Sequence, residues 1–168
     1  MVTTSIWHIE QKPELVSALG RVTVRWASLD LILVHIASVA LKNIAAAQSS
    51  IFGDHNAGQR RFTAFERIIG ASFFEQDERA KILSHMARLR VLYRRRNSLI
   101  HEPLDSKITV EGQAIHFDLA FVTRDGETKT AKLEDINQHV KDVDTELEAL
   151  ESIWEFLIEK YEPQEADK

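Results

Sequence analysis

Residues 13–41 read PELVSALGRVTVRWASLDLILVHIASVAL, and their spacing decides the fold. Leu15, Leu19, Val22, Trp26, Leu29, Leu33, Ile36 and Ala40 recur three or four residues apart, which places them on one face of a helix. Pro13 suits the first helical turn, because the N–H it lacks would have no partner there. Leu31, Val34 and Val39 add apolar surface on other faces. A helix so apolar on several sides is expected to be central in the fold or shared with a second copy of the chain. It is expected to end before Ser49-Ser50, with a loop following through Gly53, Asn56 and Gly58. The longest apolar stretch, Leu29 to Leu41, is broken by Asp30 and His35 and is too short and polar to span a bilayer, so no membrane partner is expected.

Three more helices and one β segment are legible. A second helix is expected from about Gln59 to Ala71, burying Phe62, Phe65, Ile68 and Ile69. A third runs from about Gln76 to His101. Glu75, Asp77 and Glu78 stand at its start, where negative charge suits the helix dipole, and Pro103 stops it. Between residues 107 and 132 the period changes to that of strands. Ile108–Val110, Ala114–Thr123 and Thr128–Lys132 read as a small meander, with turns at Glu111-Gly112 and Asp125-Gly126. The last helix begins near Glu134, with Ile136, Val140, Val143, Leu147, Leu150, Trp154, Leu157 and Tyr161 as its buried stripe, and Glu162-Pro163 ends it. The expected fold is mainly all-α: an up-down four-helix bundle in one domain spanning residues 1–168, with the meander inserted before the last helix.

Composition narrows the chemistry. The chain has no cysteine, which excludes disulfides and thiolate metal sites and fits a reducing cytoplasm. Residues 1–12 show no signal-peptide pattern. The net charge of −5 argues against indiscriminate nucleic-acid binding, but it is unevenly spread. Residues 58–101 hold ten basic side chains against four acidic, whereas residues 102–168 hold seven basic against eighteen acidic. Either the third helix offers an anion site, or the acidic last helix lies across it and neutralises it.

On a helical wheel, Ile82, Met86, Leu89 and Tyr93 share one face of the third helix, and Arg96 and Ile100 fall on that same face. Arg90, Arg94, Asn97 and His101 form a second face within about 60° of arc. The bland readings are that the arginines solvate the helix, that Arg96 pairs with a carboxylate of the last helix, and that His101 merely suits the C-terminal dipole.

Residues 94–104, RRRNSLIHEPL, resemble the signature of the HEPN superfamily, small helical-bundle domains found in many prokaryotic ribonucleases and toxins. Its arginine, following polar residue and histidine correspond to Arg96, Asn97 and His101. The resemblance implies a HEPN-type bundle that cleaves RNA without metal or other cofactor, by attack of a 2′-hydroxyl on the adjacent phosphorus. In that scheme His101 moves protons and Arg96 clamps the charged transition state. Asn97 orients the histidine or the phosphate, and Arg90, Arg94 and Arg95 hold flanking phosphates. Arg96 and His101 point about 140° apart on an ideal helix. Convergence then needs either a bent last turn with the arginine's reach or a composite site in a homodimer, which family members typically build. RNA and a nucleotidyltransferase-like protein antitoxin are the further partners implied. Many active members carry a tyrosine three residues after the histidine, and here that place is Leu104.

Two other functions stand beside this one: a non-catalytic helical dimer that serves as a protein- or nucleotide-binding module, and a regulator whose arginines sense an anion. His8, His35, His55, His85, His116 and His139 are scattered with no metal-ligand spacing, and no glycine-rich phosphate loop is present. Asp30 and His35 are expected to be satisfied core polar groups, and Trp26 and Trp154 to be core.

Overall fold

The structure, a computed structural model, describes residues 12–53, 58–101, 104–111, 114–122, 126–130 and 132–161. The chain is mainly helical with one small sheet: α1 (Pro13–Leu41), α2 (Ile44–Phe52), α3 (Gly58–Gly70), α4 (Gln76–His101), β1 (Leu104–Glu111), β2 (Ala114–Val122), β3 (Thr128–Thr130) and α5 (Leu133–Tyr161).

Four helices were expected and five are described, because the first helix breaks at Lys42. That residue adopts the left-handed conformation, φ 51°. Its N–H bonds the Val39 carbonyl at 3.3 Å and the Asn43 N–H reaches back to the Ser38 carbonyl at 3.1 Å. This pair of bonds is the Schellman closure, which satisfies carbonyls that a helix end would otherwise orphan. Asn43 then caps α2, its side-chain oxygen accepting the Ala46 N–H at 2.9 Å. Apolar residues continue through the corner (Ile44, Ala47, Ile51), so periodicity alone could not reveal it.

Contacts cluster in two compact units, to which α1, α4 and α5 each contribute. The first comprises Met1–Val24 and Arg94–Lys141. Its sheet has the order β1-β2-β3. β1 pairs antiparallel with β2 from Leu104↔Phe121 to Glu111↔Ala114, and β2 pairs with β3 from Ala120↔Thr130 to Val122↔Thr128. β1 therefore begins earlier than its β-branched residues suggest, since pairing with β2 recruits Asp105, Ser106 and Lys107, which have little strand preference of their own. Gly126, beyond β2, takes a positive φ of 81°, which glycine adopts without strain. Residues 112, 113 and 125, parts of the expected turns, lie outside the described residues, as do His8, His55 and the Glu162-Pro163 stop. Leu15, Ala18, Val22, Phe121, Ile136 and His139 are buried in this unit.

The second unit comprises Arg25–Tyr93 and Asp142–Lys168. From Ile32 to Ala40, α1 is buried on nearly every side, exposing neither Val34 nor Val39, whereas Leu31 is 55% exposed. Phe62, Phe65 and Ile69 of α3, Ile82, Met86 and Leu89 of α4, and Val143, Leu150 and Leu157 of α5 complete the core. Each such side chain contributes about 1.5–3 kcal/mol by leaving water. Asp30 is satisfied by Arg61 at 2.8 Å, and His35 stacks on Trp154. Tyr93 meets Trp26 and Phe62 edge-on, with 5.6 Å between centroids in each pair.

By length and composition α1 could cross a membrane, with a mean hydropathy of 1.6 over its most apolar window. The helix is 29 residues long and so extends well beyond the apolar stretch Leu29–Leu41. Of that window 44% is buried within the fold, as in a core helix.

Candidate functional site

α4 begins with half of a capping box, in which the Glu78 carboxylate accepts the Glu75 N–H at 2.9 Å. It ends with the motif. Its last turns bring Arg96, Asn97 and His101 together within one chain: Arg96 Nη1 lies 3.1 Å from Asn97 Oδ1 and 3.0 Å from His101 Nε2. A guanidinium can only donate, so Nε2 accepts in this contact and the ring proton is assigned to Nδ1. The arginine's long stem closes the angle between the two positions. Convergence in a single chain removes the geometric ground for requiring a second copy. Arg96 and Asn97 are half-buried and His101 is exposed. Among the described residues Arg96 meets no carboxylate.

The three arginines expected to hold flanking phosphates differ. Arg94 is exposed and makes no hydrogen bond or ion pair among the described residues. Arg95 donates to the Asp135 carbonyl in the first turn of α5 at 2.9 Å, so it ties helices together. Arg90 belongs to the fold. It bonds Glu66 and Gln59 of α3 at 2.6 Å each, reaches Thr63 at 3.4 Å and lies over the Phe62 ring. Arg90, expected to grip phosphate, thus meets a carboxylate of the fold that sequence spacing could not locate.

Neutralisation by α5 is real but local. Glu146, almost fully buried, accepts from His85 Nδ1 at 2.7 Å and from Arg88 Nε at 3.0 Å, and Asp144 takes Arg25 at 2.8 Å. Reading the sequence missed the His85–Glu146 pair, whose members stand 61 residues apart and share no motif. It also missed the cluster at the start of α4. There Lys160 bonds Glu75 at 2.6 Å and Glu78 at 2.8 Å, and the Tyr161 hydroxyl donates to Glu78 at 2.6 Å. Burial pushes the Glu78 carboxyl up, but hydrogen bonds from Lys160, Tyr161 and the Glu75 N–H outweigh it and hold the carboxyl below its ordinary range. The same contacts raise Lys160, chiefly through Glu75 and then Glu78, and raise Tyr161, chiefly through its bond to Glu78.

Among the described residues no three of His, Asp and Glu gather as a metal site requires. The arrangement at the end of α4 offers a proton acceptor beside a fixed cation, a set suited to a phosphodiester. Compared with protein-family models, with curated proteins and with solved structures, the chain matches none.

Proposed function

We propose that the chain is a metal-independent endoribonuclease of HEPN type, acting through Arg96 and His101. The supporting observation is the 3.0 Å contact between guanidinium and imidazole at an accessible helix end, with no acid on the guanidinium among the described residues. An RNA phosphate entering there takes over the arginine's donors and releases Nε2. The freed lone pair takes the proton of the 2′-hydroxyl as its oxygen attacks phosphorus. Arg96 stabilises the extra negative charge of the five-coordinate phosphorane. The bond to the 5′ oxygen breaks and that oxygen is protonated, leaving a 2′,3′-cyclic phosphate and a 5′-hydroxyl. A homodimer, in this reading, supplies a second His101 as the acid, and closed two-fold dimers are the commonest oligomers. Asn97 positions the guanidinium, and Arg94 steers the incoming chain.

The experiment is cleavage of total RNA in the presence of a chelator, with end-group analysis. Wild type should yield cyclic-phosphate ends. His101→Ala should lose about 10²–10⁴-fold in rate with unchanged circular dichroism. Cleavage that persists in His101→Ala overturns the assignment.

A second reading is favoured by one observation: Arg90 and Arg95 are engaged within the fold, which reduces the cations free to grip RNA. It makes the protein a non-catalytic module that binds a protein such as a nucleotidyltransferase-like antitoxin. Wild-type expression that is harmless and leaves RNA intact supports it. Toxicity that requires His101 supports the enzyme.

A further inference from the structure

A cavity of about 460 Å³ opens where the last turns of α1, the first turn of α2 and the end of α5 meet. That volume lies in the range of small-molecule sites. One wall is the His35 imidazole stacked on the Trp154 indole, with centroids 4.9 Å apart and planes 29° apart. Among the described residues the lining holds one formal cation, Lys42, and no carboxylate, in a chain whose net charge is −5. The Lys42 ammonium sits 5.1 Å from the Phe73 ring centroid, and no acid among the described residues neutralises its charge. Asn43 spends its side-chain oxygen on the Ala46 N–H, which leaves its amide N–H groups as donors.

Lys42 also occupies an uncomfortable place. It is the left-handed closing residue of α1, a position where glycine is usual and a Cβ is a cost. A lysine there favours the fold less than glycine would. We propose that this cavity binds a small planar ring bearing one acidic group, the ring against the His35–Trp154 wall and the acid on Lys42 and the Asn43 amide. What the strained lysine supplies there, and glycine would not, is its ammonium. The site shares no residue with the Arg96–Asn97–His101 set and does not depend on the ribonuclease reading.

Calorimetric titration of the full chain tests this with two probes, indole-3-carboxylate and adenosine 5′-monophosphate. Indole and adenosine serve as ring-only controls, acetate and inorganic phosphate as acid-only controls. At least one probe should bind more than tenfold tighter than both of its parts, and which one does so separates a carboxylate from a phosphate ligand. Lys42→Gly should weaken that binding more than tenfold while raising Tm by about 2 °C, because glycine relieves the left-handed strain. The bound probe should shift the Trp154 indole N–H resonance. The proposal is overturned if neither probe outbinds its parts, if Lys42→Gly binds like wild type, or if the Trp154 resonance stays still.

Discussion

The arginines of α4 have unequal fates. In the stretch Gln76–Tyr93, Arg88 and Arg90 each find a carboxylate, Glu146 and Glu66. In the stretch Arg94–His101, the acceptors that Arg96 finds among the described residues are an amide oxygen and an imidazole, Asn97 and His101. A guanidinium bonded to a carboxylate is neutralised in place and serves the fold. One held by an amide oxygen and an imidazole is oriented yet keeps its charge for an anion from outside. Residue type and helical spacing are the same in both stretches, so the partner decides the role.

Four measurements test that contrast. The largest effect is expected for Arg96→Ala: RNA cleavage should fall about 10²–10³-fold, as when a transition-state donor is removed, with Tm moving by less than about 1 °C. A large fall in Tm would mean that Arg96 belongs to the fold after all. Arg90→Met should do the reverse to stability. Losing charge-assisted bonds to Glu66 costs about 2 kcal/mol, or about 4–8 °C in Tm, by thermal denaturation.

Gly58→Ala probes the same stretch from the opposite side. The Gly58 N–H donates to the Tyr93 hydroxyl at 3.1 Å, and a Cβ at Gly58 would collide with the Tyr93 ring. Moving that ring disturbs its edge contacts with Trp26 and Phe62, so a loss of about 1–3 kcal/mol is expected in urea denaturation.

The smallest effect concerns pH. The Glu78 carboxyl is lowered in the folded chain, so near pH 4 the unfolded chain binds more protons and stability rises with pH there. Its contribution is complete above the ordinary glutamate value of about 4.3 and is lost as pH falls through the lower folded value. Tm measured from pH 6 to pH 3 should fall less steeply in Glu78→Gln, relative to its own neutral value, than in wild type.

Much of the fold was legible because helical periodicity is a local property. α4 occupies Gln76–His101, the span its start charges and Pro103 imply, and α5 begins one residue before Glu134. The α1–α2 corner was not legible. Its signal is a single Lys-Asn pair inside a continuous apolar run, and the left-handed turn there is fixed by hydrogen bonds from Lys42 and Asn43 to carbonyls three and five residues back in the chain, Val39 and Ser38. The start of β1 was hidden for another reason: Leu104 to Lys107 are strand only through pairing with residues 118–121. At the site, the motif and its residue types were readable, but the sorting of Arg90 from Arg96 was not, since Glu66 lies 24 residues from Arg90.

Amino-acid order alone sets which segments are helical, which faces are apolar, and where an arginine, an asparagine and a histidine crowd onto one helix end. Those follow from backbone geometry and side-chain spacing. Folding in three dimensions settles which cations meet acids, that Arg96 reaches His101 within one chain, and that a lysine closes α1 beside an aromatic-walled cavity. Such outcomes depend on distances between residues far apart in the chain, and Coulomb and hydrogen-bond energies act on distance in space rather than on position along the backbone.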